Sequence, residues 1–211
     1  MLLNCDYKSN TNLLYHVLSS IPMRIKSQIR IVGIDDGSLQ GTSILLVGVV
    51  FRGGFWIDGL LSCWIDRDGM DATDKIIHMM NTTKHEDVRV IMTDGITFAG
   101  FNTIDIQKIA RETSLGIIPV MRRMPDFEHI HTALKNLPDH QQRWNCMQKA
   151  GPIHSTAVHG GRLYFQYAGL SREEAEKIIS LTCMHSRIPE PVRVAHIIAT
   201  GIIRGEASRT P

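Results

Sequence analysis

Three consecutive apolar runs, at residues 29–34, 43–51 and 55–65, constrain this chain's fold more than any other feature. Arg52-Gly53-Gly54 lies between the second and third, and glycines there supply the positive φ that a hairpin turn demands. The three runs therefore predict an antiparallel meander. The pattern then changes to helical spacing after Asp71, with Ile76, Ile77, Met79 and Met80 as the inner face. A strand at 88–93, a helix at 103–112 and a strand at 116–121 follow. Helices are expected after Asp126, at 139–149, from the Ser171/Glu174 capping box to about 183, and at 192–203 with Pro191 in the first turn. Residues 156–158 and 163–167 are placed to pair across His159-Gly160-Gly161. The expected class is α/β: a mixed sheet, the antiparallel meander plus parallel strands, flanked by helices.

Composition narrows the function classes. Lysine and arginine number 23 against 21 aspartates and glutamates. A net charge of +2 does not by itself mark a nucleic-acid binder, yet it leaves room for a local basic groove. No apolar stretch approaches the ~20 residues needed to cross a bilayer. Cys5, Cys63, Cys146 and Cys183 are scattered, without the paired spacing of a zinc or redox motif. They read as reduced thiols of a cytoplasmic protein.

Among α/β arrangements, a meander followed by crossovers is the order of the ribonuclease H-like fold. In that sheet the first and fourth strands are neighbours, and ligands gather at their carboxyl ends. Asp35 and Asp36 end the first apolar run, in "GIDDG", and Asp94 ends the fourth strand. Asp71 and Asp74 stand at the start of the first helix, at the same edge. Carboxylates crowded together repel, and Mg²⁺ (or Mn²⁺) prefers such a hard oxygen shell. Each acid also has an ordinary structural role: Asp36-Gly37 and Asp94-Gly95 suit turns, and Asp71 suits a helix N-cap. Strand alternation separates the doubled pair: Asp35 shares the phase of Ile31 and Gly33, and Asp36 points to the opposite face.

The stretches "IRIVGIDDG", "VGVVFRGGFWIDG", "DGMDAT", "MTDGITFAGFNTIDI", "IPVMRRMPD" and "IPEPVRVAHIIATG" resemble an archaeal family, domain of unknown function 99, over residues 28–206. That family is related to endonuclease V and has a ribonuclease H-like fold. The resemblance implies a Mg²⁺-dependent nuclease ancestry, with cleavage near a deaminated base in the better-known branch. It puts Asp35 at the aspartate of a first-strand pattern and Asp94 at the aspartate of a "DG" strand end. His196, on the last helix, is similar in placement to a late histidine near the site. The Tyr-x-Pro-Gly segment and the catalytic glutamate of endonuclease V have no counterpart, since Gly53 stands where that glutamate would be. Asp71 is the best substitute as a third catalytic and metal-binding acid. Members of the family begin just before their first strand, so residues 1–27 read as a loosely ordered extension of a domain at 28–211, and Met23 resembles a start.

Arg122 and Arg123, past a strand end, and Arg193, beside His196, are candidates for nucleic-acid contacts, each also readable as an ordinary surface or helix pair. The glycines of "GITFAGFN" are expected to permit a close backbone approach to a neighbouring strand or a nucleic-acid backbone. Three functions stay open. One is a metal-dependent nuclease for RNA or DNA. Another is a nucleic-acid-binding protein that lost the chemistry, and the last is a small-molecule phosphoesterase.

Overall fold

A computed structural model describes residues 23–207; the expectations for residues 1–22 lie outside the described residues. The meander forms as anticipated. β1 (Arg30–Asp36), β2 (Ser43–Arg52) and β3 (Trp56–Asp66) pair antiparallel in sequence, and Gly53 turns the chain at φ +59. α1 (Ala72–Thr82) then crosses to β4 (Val88–Asp94), which lies parallel beside β1. A two-stranded ribbon, β5 (Thr97–Phe98) and β6 (Asn102–Thr103), precedes α2 (Ile106–Thr113), and β7 (Gly116–Met121) extends the parallel set. α3 (Phe127–Leu134), α4 (His140–Lys149), the hairpin β8 (His154–Val158) and β9 (Gly161–Phe165), α5 (Arg172–Thr182) and α6 (Glu190–Arg204) complete the order. The main sheet reads β3-β2-β1-β4-β7-β9-β8, with β9 antiparallel to β7.

Period-two alternation sends Val32, Ile34 and Ile91 to one face, under α1 and α2, with Ile76 and Ile109 between. Ile31, Val90, Met92 and Ile118 go to the other, where Ile178 and Ile179 of α5 and Val192 of α6 cover them. β2 is buried along nearly its whole length because both its faces are covered. The outermost strand, β3, is covered less. Trp56, Leu60 and Trp64 on it are more than half exposed, so two of the three tryptophans belong to the surface. Met23 and Ile25 pack against the second face, and the Met23 amide donates to Glu174.

The placement of α6 depends on one glycine. A Cβ built on Gly33 would lie 2.0 Å from the Pro191 carbonyl carbon and 2.5 Å from the Val192 nitrogen. The helix start therefore lies directly on the β1 backbone. Pro191 supports the same contact, since its missing N–H is harmless in the first turn of α6. Lower down, a Cβ on Gly37 would meet the Ala199 oxygen and the Ile203 Cγ1 at 3.1 Å, so the chain leaving β1 also follows the helix closely.

Gly33→Ala should destabilise the fold by about 3 kcal/mol or more, because backbone rather than a flexible side chain must move. Gly201→Ala, whose added Cβ would meet only Ala207 at 3.9 Å, should be neutral or stabilising by up to about 1 kcal/mol. Urea unfolding of the two variants checks this contrast, and equal effects would remove the close approach as the determinant of α6 placement.

Candidate active site at the carboxyl edge of the sheet

β1 and β4 are adjacent and parallel, so Asp35 and Asp94 end neighbouring strands at the same edge. Asp35 is buried, and α6 brings His196 over it: Nδ1 lies 2.8 Å from Asp35 Oδ2. The other oxygen, Oδ1, accepts the Asp36 amide at 2.8 Å. Both aspartates of the doubled pair line one cleft of about 650 Å³ with Asp94 and His196. Strand alternation had sent Asp36 away from Asp35. Alternation is kept to the strand end, where Asp36 is still paired with Leu46: Asp35 faces α6 on the side of Gly33, Asp36 faces the side of Val32 and Ile34, and both reach the open edge. Asp36 Oδ2 accepts the Ala99 amide at 2.7 Å. Ala99 holds that amide in place at a left-handed φ of +47, a conformation unfavourable for a residue with a Cβ.

Burial and like charge dominate the electrostatics. Desolvation pushes the Asp35 carboxyl up to about 7; the His196 hydrogen bond opposes this, and the fields of Asp94 and Asp36 add to it. Asp36 is raised by desolvation against the Ala99 hydrogen bond. Asp94 is raised by desolvation too, against the positive fields of Arg122 and His196. His196 is itself raised, chiefly by its hydrogen bond to Asp35. Near neutral pH the Asp35–His196 pair thus holds a proton tightly, beside two further carboxylates that water solvates poorly.

Of the other sequence candidates, Asp71 does not line this cleft. It occupies the N-cap position of α1 without a side-chain cap bond, and its Oδ1 accepts Asn102 Nδ2 at 2.7 Å and the Asp66 amide at 3.2 Å. Asp74 pairs with Lys108 at 2.6 Å. Arg193 binds Glu190 through both carboxylate oxygens, and this pair at the start of α6 stands apart from the cleft lining. Arg122 and Arg123 follow β7 at the acidic edge, and Arg122 is near enough for its charge to act on Asp94. In "GITFAGFN" the close approach is to a side chain: a Cβ on Gly100 would meet Asp68 Oδ1 at 2.3 Å, and that oxygen accepts the Phe101 amide.

Sequence reasoning missed Arg143. It is 2% exposed and donates to the carbonyls of Gly69 (2.7 Å), Phe101 (2.5 Å) and Asp68 (2.7 Å). It thereby ties α4 to the two loops beside the site, one of which carries Ala99. Its position in a polar helix with basic and amide neighbours carried no sign of burial.

Among the described residues no group of three or more His, Cys, Asp or Glu side chains is placed to hold a metal ion. The smaller donor set at Asp35 and Asp94 fits an ion that needs fewer protein ligands. Mg²⁺ keeps several waters and binds through one or two carboxylates together with substrate phosphate. Two poorly solvated carboxylates at one edge are a hard-oxygen set with an unmet need for positive charge.

The sequence pattern described as Endonuclease dU matches residues 27–203. A UPF0215 protein of Methanosarcina barkeri is 50% identical over 189 residues, 89% of this chain and 97% of that protein. The crystal structure of a protein of unknown function from Archaeoglobus fulgidus is 42% identical, with a TM-score of 0.77, covering 83% of this chain and 99% of that one. Endonuclease V of Ciona intestinalis, solved with a 24mer DNA containing an inosine followed by a ribo-adenosine, superposes with a TM-score of 0.53 at 13% identity. That match covers 88% of this chain and 92% of the other. At that identity the likeness is one of fold, and it agrees with the ribonuclease H-like strand order.

Asp94→Asn should raise the melting temperature at pH 8 without divalent cations, and the gain should shrink towards pH 4. The sign follows from the raised carboxyl: its charged form is penalised in the folded state, so the penalty is absent below the unfolded pKa and grows as pH rises through the folded one. Melting curves across that range would refute the electrostatic reading if the variant were less stable at pH 8.

Proposed function

The chain belongs to the Endonuclease dU family, and on that premise we propose that it is a divalent-metal-dependent endonuclease that hydrolyses a phosphodiester of DNA at or near deoxyuridine. The observation that carries this reading is the meeting of Asp35 and Asp94 on adjacent parallel strand ends, with His196 bonded to Asp35 at 2.8 Å. Deoxyuridine comes from the family's description, and a DNA partner is supported by the fold shared with an endonuclease solved on DNA.

Asp35 and Asp94 would hold Mg²⁺ or Mn²⁺. Bound there, the ion supplies positive charge against the negative charge that develops on the phosphate. Asp35 is oriented for this by His196 on one oxygen and by the Asp36 amide on the other. His196, held at Nδ1 and with its ring on the cleft, delivers a proton to the leaving oxygen. Asp36, anchored by Ala99, adds negative charge at the outer sphere. Asp71 acts at one remove, holding Asn102 and the turn at Asp66 beside the site. Arg122 and Arg123 directly follow β7 at this edge and would receive flanking phosphates.

A labelled strand carrying one deoxyuridine should be cut by the wild type with Mg²⁺ or Mn²⁺ and left intact in EDTA. Asp35→Asn and Asp94→Asn should abolish cutting while the fold persists by circular dichroism. His196→Ala should slow it by on the order of 10²–10⁴-fold. An uncut strand under every metal condition, with the wild type folded, would sink the enzyme reading; a strand that is bound but never cut would support the binding-protein reading.

A further inference from the structure

The cleft is larger than the acids require, and its remaining walls have a different chemistry. His196, Thr200 and Arg204 all line it. They are spaced i, i+4, i+8 along α6, so they form one stripe that extends about 12 Å from the acids. The turn between β1 and β2, residues 37–42, shares the cleft with this stripe through Ser38, Leu39 and Gln40, and Glu206 lines it beside Arg204. The turn is anchored at both ends. The Gly37 amide donates to the Leu45 carbonyl at 2.8 Å, and the Arg67 amide to the Thr42 carbonyl at 2.8 Å. Within it, the Gln40 amide donates to the Ser38 carbonyl at 2.7 Å. Leu39 is nonetheless 47% exposed, a large apolar side chain in a cleft whose other functional walls are acids, hydroxyl, amide and guanidinium.

We propose that this outer half of the cleft is a nucleobase subsite, in which Leu39 covers the face of one base, Gln40 bonds its polar edge, and Arg204 takes the adjoining phosphate. The assignment rests on the nuclease reading above and extends it from the bond that is cut to the nucleotide that is held. Each part follows from chemistry at a stated place. An exposed leucine gains from covering an apolar surface, and the face of a base is the apolar surface a polynucleotide offers. A carboxamide carries both a donor and an acceptor, which match the paired donor and acceptor on the pairing edge of a pyrimidine. Guanidinium matches phosphate, and a site about two helical turns from His196 serves a neighbouring phosphate rather than the one under attack. Thr200, midway on the stripe, supplies a hydroxyl between them. A base reaches such a pocket only from a single strand or once turned out of a duplex.

The test compares two strands that differ at one position, one carrying deoxyuridine and the other an abasic residue. Binding is measured by anisotropy in EDTA at low salt, so it does not depend on cleavage. The wild type should bind the uracil-bearing strand about tenfold more tightly than the abasic one. Leu39→Ala and Gln40→Ala should each bring that ratio close to one. Arg204→Gln should weaken both strands alike and lower the salt dependence by about one phosphate contact. These side chains are solvent-exposed, and melting curves serve as the control for folding. A base-to-abasic ratio unchanged in Leu39→Ala and Gln40→Ala would overturn the subsite even if the strand is cut. A ratio erased by those substitutions in a protein that cuts nothing would keep the subsite and overturn the nuclease reading.

Discussion

Everything at the carboxyl edge of the sheet depends on how closely α6 can approach β1. Gly33 leaves the strand backbone bare at the point where Pro191 and Val192 cross it, and no side chain larger than hydrogen fits there. That contact fixes the height of the helix over the sheet. His196 lies a little over one turn further along, and its ring therefore meets a carboxylate two residues beyond Gly33 at hydrogen-bond distance. A shift of α6 by the width of a methyl group would break the Asp35–His196 pair before it disturbed most of the apolar packing.

The same packing makes the site costly to the fold. Asp35 is carried on a strand whose neighbouring side chains are buried aliphatics, and water reaches it poorly. Asp36 and Asp94 add like charge instead of relief. Compensation comes from backbone and helix: an amide from Asp36 itself, an amide from Ala99 in an unfavourable backbone conformation, and the imidazole above. Arg122 adds a permanent positive field at Asp94, and desolvation nonetheless raises all three carboxylates. Local strain and poorly solvated charge at one edge mark where the chain departs from what stability alone would favour.

Much of this was legible in the sequence, for particular reasons. The meander could be read because Arg52-Gly53-Gly54 leaves few alternatives, and the placing of Asp35 and Asp94 at one edge could be read because the strands they end are neighbours in that order. The Ser171/Glu174 capping box is present as read, with both of its hydrogen bonds. Asp36 could be separated from Asp35 because alternation holds as far as the Asp36–Leu46 pair, and the two carboxylates do take different partners. Arg193 was offered as a phosphate ligand, yet its fork is occupied by a buried glutamate three residues away, and local spacing cannot tell a solvent-facing ion pair from one turned inward. Arg143 was unreadable for a related reason. Its partners are main-chain carbonyls of residues some forty to seventy-five positions distant, and carbonyls are the same in every sequence.

Arg143 also determines the order in which parts of the molecule come apart. α3 buries only Leu134 among its side chains, and α4 only Arg143 and Met147, so this helical pair adheres to the domain far less firmly than any central strand. The guanidinium is its main fastening, and the loops it fastens include the segment that donates to Asp36. When α4 lifts, the carbonyls of Asp68, Gly69 and Phe101 lose their common donor, while Ala99 stays buried in the apolar cluster and its carbonyl still accepts the Asp68 amide at 2.8 Å. On warming, the α3–α4 periphery therefore loosens ahead of the seven paired strands, and the segment behind Asp36 is held by its own packing.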